Sequence, residues 1–525
     1  MSRHTTRAGL LRLLLLPLLL SSAAVSARQP VRGTPVERDI ARLTSYGGAA
    51  YEVRGALTGQ VTGSQHILQL RDKRVMVDCG MFQGKGAAEK NGILRPDAHT
   101  VDAVVLTHAH IDHCGMLPLL VKNGYRGQIH MTPATAELAK AILLDSAKIQ
   151  EMNADRAKKT NVKYSLREGQ RGWRPEVPMY TTADVESTVG RFVTHPYGQT
   201  FSPVEGISTH LVDAGHLLGS ASAIMDMSIN GRARRMVFGG DLGRRNSGIL
   251  NDPTVPARAD YVVMEATYGG RVHAAPENVK TQLLAEIQAT FARGGNLVIP
   301  AFAQGRTQEL LYALKQLSAE GRLTHNGQPV KVFVDSPLAI SVTEAFRRNI
   351  GICNANVRSF AERNGNPFEF NGLTFSRTAD DSKAIANVQG PKIIIAASGM
   401  CDNGRIVHHL KNNLGNPNNT ILLAGYQSPW SLGGQLTAEQ RPRSIKIFGQ
   451  QVPVQAKIER IGGISAHADQ RDLLWWSGSL GEQVSRFFLV HGDTDQLQAL
   501  KGALTGQQGR RNVTINTEGA TYDLD

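Results

Sequence analysis

One run of seven residues, Thr107-His108-Ala109-His110-Ile111-Asp112-His113, constrains this chain more than any other stretch. It follows the apolar segment Val101 to Leu106, which reads as a buried strand, and precedes Gly115 and the helix-like Met116 to Val121. Three imidazoles and a carboxylate on a turn at a strand's carboxyl end can converge on one point. Neutral imidazole nitrogen and carboxylate oxygen are zinc donors, and a set this dense exceeds what one tetrahedral ion with an open position needs. Two metal ions are the natural inference. The alternative is a cluster of surface or helix-capping histidines, a role that seldom gathers so many donors.

Similar residues recur at strand ends along the chain. Arg74-Val75-Met76-Val77 runs into the polar, glycine-rich Asp78-Cys79-Gly80-Met81-Phe82-Gln83-Gly84, and loops of this kind commonly line sites in layered α/β folds. His216 lies in Asp213-Ala214-Gly215-His216-Leu217-Leu218-Gly219-Ser220, and Asp241 in Gly239-Gly240-Asp241-Leu242-Gly243 after Met236-Val237-Phe238. Glu265 follows Tyr261-Val262-Val263-Met264, His467 sits in Ser465-Ala466-His467-Ala468-Asp469, and His491 follows Phe487-Phe488-Leu489-Val490. Taken singly, each reads as an ordinary turn residue, and His467 as a structural one. Their order after the first cluster is what raises them to candidates.

The 525 residues suffice for two or three domains. From Tyr51 strand-like runs alternate with turns. Between about 271 and 430 the pattern changes to repeated helix–strand units, from the helix Asn278 to Ala292 through the strand Thr420 to Ala424, which implies a parallel sheet with helices on its faces. Candidate residues before and after that region predict an insertion into one domain. The expected division is a leader at 1–27, a linker at 28–46, the first domain at 47–270, the inserted domain at 271–430, and the closing part at 431–525. After His491 only a closing helix and strand are expected, without an added RNA-binding domain.

Charge and leader bear on partner and compartment. A net charge of +13 favours an anionic partner such as nucleic acid, or reflects a solvated basic surface. The basic section from Lys148 through Lys158, Lys159, Lys163, Arg167, Arg171 and Arg174 carries the same two readings. Cys79, Cys114, Cys353 and Cys401 show no C-x-x-C spacing, so free buried thiols are expected. At the amino terminus, Arg3, Arg7 and Arg12 accompany a leucine-rich core ending at Leu20, then the small Ser21 to Ala27. That composition predicts a secretory signal peptide cleaved after Ala27, hence export; a misassigned start and a cytoplasmic protein are the alternative. No second apolar segment approaches membrane-spanning length, so no transmembrane domain is expected.

In motif order these residues resemble the metallo-β-lactamase fold in its β-CASP branch of RNA-processing metallo-hydrolases, over about residues 50 to 525. Asp78, the His108 to His113 cluster, His216 and Asp241 match the four motifs of the fold, and Glu265, His467 and His491 those of the branch. The resemblance implies an α/β fold, a metallo-β-lactamase αββα sandwich with an inserted β-CASP α/β domain. It also implies two zinc ions: His108, His110 and His216 on one, Asp112, His113 and His491 on the other, with Asp241 bridging. A hydroxide held between the ions would attack the phosphorus of single-stranded RNA, and His467, paired with Glu265, would protonate the leaving oxygen. Asp78 is better placed to fix a ligand imidazole than to ligate. Arg306 and Ser398-Gly399-Met400, at helix starts, are the implied phosphate contacts. Endoribonuclease is the leading reading; the alternatives are an exported hydrolase of a small ester, lactone or lactam, and a non-catalytic RNA-binding relative. A homodimer is compatible with all three.

Overall fold

Aliphatic strand segments separated by left-handed glycine turns pair into two seven-stranded sheets in the computed structural model, which describes residues 39–525 except 54, 85, 161–176, 274–278, 426 and 463–464. The first sheet runs Thr521–Asp523, Ala41–Gly47, Gln65–Leu70, Lys73–Val77, Ala103–Val105, Ile129–Met131, Phe192–Thr194. The second runs Val513–Ile515, Arg486–Val490, Tyr261–Glu265, Arg232–Phe238, Ala221–Ile229, Ile207–Asp213, Phe201–Val204. Their inner faces meet through Leu43, Leu68, Val75, Val77, Met225, Phe238 and Phe488. Burying each such side chain contributes roughly 1.5–3 kcal/mol. Helices Leu117–Lys122 and Pro133–Thr160 cover one outer face through Leu120 and Leu138. Helices Gln470–Gly478 and Thr494–Gln507 cover the other through Trp476, Leu497 and Leu500. The product is the expected αββα sandwich, and strands from the last forty residues complete both of its sheets.

The inserted domain is a third sheet, Leu373–Phe375, Val332–Val334, Ile393–Ala396, Leu297–Pro300, Thr420–Ala424, Lys457–Ile461, with every pairing parallel. Its four central strands are buried on both faces, by Leu310, Leu314 and Phe346 on one side and Ile406, Leu410 and Leu436 on the other. Short polar contacts tie it to the sandwich. Glu137 receives Arg348 and the Asn349 amide at 2.9 Å, Gln304 Nε2 donates to Ala109 O at 3.3 Å, and Asn354 Nδ2 to Leu250 O at 3.2 Å.

Two expected boundaries differ from the structure. The segment read as a linker to residue 46 contains the strand Ala41–Gly47. Its inward set Ala41, Leu43, Ser45 and Gly47 carries one large apolar side chain, so it shows no strand alternation. The inserted sheet also continues beyond residue 430. Lys457–Ile461 is its edge strand, parallel to Thr420–Ala424, and the hairpin Ser444–Ile447 with Gln450–Pro453 packs Ile445, Ile447 and Val452 into its core. The leader at 1–27 and the basic residues Lys163, Arg167, Arg171 and Arg174 lie outside the described residues. Among those described, no helix is long and apolar enough to cross a membrane.

Candidate metal centre

The run from Thr107 to His113 leaves Ala103–Val105 as an extended loop and then turns into the four-residue helix Ile111–Cys114. The loop carries His108 and His110; the helical turn brings in Asp112 and His113. Loops at the ends of neighbouring strands add Asp78, His216, Asp241 and His491, the strand Tyr261–Glu265 ends on Glu265, and His467 lies just before the helix Gln470–Gly478. Two of these, Asp78 at φ 60° and His491 at φ 52°, hold left-handed backbone, a conformation uncommon outside glycine. Glycines bring the loops close. A Cβ on Gly80 would fall 1.7 Å from Asp112 O, and one on Gly243 would fall 1.9 Å from Gly215 O. Gly80→Ala is therefore expected to push Asp112 out of register and lower bound zinc severalfold without touching a donor. Metal analysis of the folded variant checks this.

Donor atoms collect in two groups that share one carboxylate. His108 Nε2 lies 3.2 Å from His110 Nδ1, which lies 3.1 Å from His216 Nε2; Asp241 Oδ2 is 3.5 Å from the first and 3.6 Å from the last. On the other side, His491 Nε2 is 3.4 Å from Asp112 Oδ2, while Asp241 Oδ1 is 3.3 Å from His113 Nε2 and 3.7 Å from His491 Nε2. His108, His110, His216 and Asp241 offer donor atoms within 4.8 Å of one another, and so do Asp112, His113 and His491. His113 Nε2 and Asp241 Oδ1 are buried without a hydrogen-bond partner, an expensive arrangement unless a cation meets them. Burial, with the charge of His113, pushes His108 down to about 3, and burial likewise takes His110 to about 4, so both present neutral nitrogen. Burial opposes charge on His113 too, but Asp241 and Asp78 draw it well above the usual histidine range. These carboxylates call for positive charge between them, and the donor set fits a metal ion.

Asp78 supports both groups rather than joining either. Its Oδ2 accepts from His113 Nδ1 at 2.8 Å and from Thr107 Oγ1 at 2.8 Å, and Thr107 Oγ1 in turn meets His108 Nδ1 at 3.0 Å. One carboxylate thus orients an imidazole of each group, one directly and one through a hydroxyl. Thr267 does the same for His491, meeting Nδ1 at 3.0 Å. Neither threonine stands out in the sequence, although each lies within two residues of a motif residue. Cys114 is buried, with Sγ 3.7 Å from Ala109 O, and stays outside the donor set.

His467 stands beside the donors, its ring 4.4 Å from that of His216 and its side chain 21% exposed. Its Nδ1 meets the Glu265 carboxylate at 3.1 Å, and Glu265 also accepts from Leu242 N at 2.7 Å. Glu265 comes within reach of Asp241 and His491, yet its oxygens are already engaged. Burial alone would lower His467; the charge and hydrogen bond of Glu265, with Asp241 and Asp112, raise it to about 9. His110, Asp112, His216 and His467 open onto a cavity of about 1350 Å³ between the sandwich and the inserted domain. Arg306, Ser398 and Met400 line it, as does Arg244, which the sequence reading missed although it follows Asp241 by three residues. Arg306 is buried and pairs with Glu309 at 3.1 Å. Ser398 Oγ is buried with no hydrogen-bond partner. Gly399 is not in the lining; its missing side chain makes room for the ring of Phe302.

Three family models match successive parts of the chain. Residues 58–287 match the model of the metallo-beta-lactamase superfamily, 307–436 that of the Beta-Casp domain, and 451–515 that of the Zn-dependent metallo-hydrolase RNA specificity domain. The last match runs from the hairpin of the inserted domain through His467 and His491 into the final strands of the sandwich. The chain is 36% identical over 451 residues to "Ribonuclease TTHA0252" of Thermus thermophilus, covering 86% of this chain and 95% of that protein. It is 28% identical to "Endoribonuclease YSH1" of Eremothecium gossypii, covering 85% of this chain but 55% of the relative. "Transcription termination factor FttA" of Pyrococcus horikoshii is 29% identical, with 86% and 66% covered.

Proposed function

Because the chain belongs to the β-CASP family of metallo-β-lactamase-fold metallo-hydrolases, we propose that it is a di-zinc endoribonuclease that cuts single-stranded RNA in the cavity between its two domains. One observation carries this reading: the two oxygens of Asp241 face separate donor groups, and His467, held by Glu265, stands next to them above the cavity. The names of the relatives and the RNA specificity match at 451–515 support RNA as substrate. Bound there, two zinc ions would supply a nucleophile from water at neutral pH and offset charge on the phosphoryl group.

The remaining work falls to side chains of the chain itself. Glu265 accepts the Nδ1 proton of His467, which leaves the other ring nitrogen to protonate the departing ribose oxygen. Arg306 and Ser398, on the opposite wall, offer a buried guanidinium and an unpaired hydroxyl to backbone phosphates. A cavity of about 1350 Å³ is much larger than a lactam or lactone fills, which counts against a small substrate. A complete donor set counts against a non-catalytic RNA binder.

Parallel assays with single-stranded RNA, bis(p-nitrophenyl) phosphate and nitrocefin test the proposal. Internal RNA fragments are expected; uncut RNA alongside turnover of nitrocefin would overturn it. Residues 1–27 we propose as an export signal, on their arginine, leucine and small-residue composition. Sequencing the mature amino terminus should then find Arg28 first, and Met1 in a cytoplasmic fraction would sink the export reading.

A further inference from the structure

At the border of the same cavity, a two-residue hairpin turn carries a phenylalanine where the backbone favours asparagine or glycine. Phe448 and Gly449 join Ser444–Ile447 to Gln450–Pro453, with Ile447 paired to Gln450. Both turn residues have positive φ, 48° and 79°, and Asn-Gly is the preferred pair for such turns. A bulky side chain is a steric outlier in that region. Burial does not repay the misfit, since Phe448 is 57% exposed. Its ring lies against His408, centroids 4.6 Å apart and planes inclined by 35°. Both rings open onto the cavity that holds His467, and Arg405 and Arg460 line it with them. Asp402 lies in the same lining, its carboxylate accepting from Leu432 N at 2.7 Å.

An exposed aromatic pair, in a cavity that Arg405 and Arg460 also line and that is continuous with a phosphodiester-cleaving centre, has the make-up of a stacking surface for single-stranded nucleic acid, while the Arg405 guanidinium itself is held by Asp335. We propose that Phe448 and His408 form a platform on which an unpaired base of the bound RNA stacks. The inference rests on the RNA reading above. It adds a binding element supplied by the hairpin and the helix Ile406–Asn413 of the inserted domain, outside every metal-centre motif. Strain at φ 48° is then a local cost kept because the ring must stand free in the cavity.

Stability and binding should move in opposite directions when the ring is removed. In the cleavage-impaired His467→Ala background, with zinc bound, Phe448→Asn is expected to raise the thermal unfolding midpoint, because asparagine tolerates left-handed backbone. The same change should weaken binding of a 12-nucleotide single-stranded RNA, read by fluorescence anisotropy, by about 5- to 100-fold. Phe448→Trp should keep the affinity. A 2-aminopurine in the strand should lose fluorescence on binding the parent and regain it with Phe448→Asn. Affinity unchanged within about twofold in Phe448→Asn would overturn the platform alone. Stability and affinity falling together would assign Phe448 to packing and also overturn it. A parent that binds no RNA would overturn the RNA reading itself.

Discussion

Replacing Asp241 with alanine is expected to lower RNA cleavage by about 10³-fold or more and to release metal from both donor groups at once. The physical reason is the split of its carboxylate. Oδ2 faces His108 and His216 at 3.5 and 3.6 Å, and Oδ1 faces His113 and His491 at 3.3 and 3.7 Å. Among the described residues no other side chain offers donor atoms to both groups, and a metal pair contributes several kcal/mol of transition-state stabilisation, with about 1.36 kcal/mol for each decade of rate. Removing Asp241 also leaves His108, His110 and His216 facing one another with no carboxylate among them. His491→Ala is the comparison, since it touches one group and should spare metal in the other. Zinc counted per chain in the folded variants decides the matter: an Asp241→Ala protein that keeps two tightly bound ions would refute the bridging role.

The second large effect is expected at His467. Truncation to alanine should cost about 10²- to 10⁴-fold on RNA while leaving zinc content unchanged, the loss typical of a general acid. Its Nδ1 is tied to Glu265 at 3.1 Å, and that carboxylate outweighs the burial that would otherwise neutralise the ring, raising it to about 9. A histidine held up in this way carries its proton at neutral pH. The discriminating measurement varies the leaving group. A p-nitrophenyl phosphodiester departs without protonation, so His467→Ala should hydrolyse it nearly as well as wild type while failing on RNA. Equal losses on both substrates would assign His467 to structure or metal binding instead. Glu265→Gln should give a smaller loss in the same direction, because the amide can still orient the ring but no longer favours its charge.

Much of the fold and of the metal centre is legible in the amino-acid sequence, and the reasons are local. A metal centre needs residues of restricted chemistry at strand ends, so the His108 to His113 cluster stands out by itself, and His216, Asp241 and His491 become candidates through their order after it. Parallel strands of the inserted domain betray themselves as short apolar runs alternating with helical periods, as in Leu297–Pro300 followed by Arg306–Ala319. Strands lacking that signature escape. Ala41–Gly47 is nearly all small or polar, and Lys457–Ile461 joins the inserted sheet only through its pairing with Thr420–Ala424, which no local pattern announces.

Chain chemistry by itself determined the fold class and the candidate metal donors, because hydrophobic period and donor identity are written residue by residue. Tertiary structure alone decided the rest. Only in three dimensions do the oxygens of Asp241 face two groups, Asp78 reach one imidazole directly and another through Thr107, and a hairpin place Phe448 in the cavity of His467. Each of these joins residues far apart in sequence through loop packing and hydrogen bonds. Such contacts depend on distance and direction between side chains, and a linear pattern contains neither.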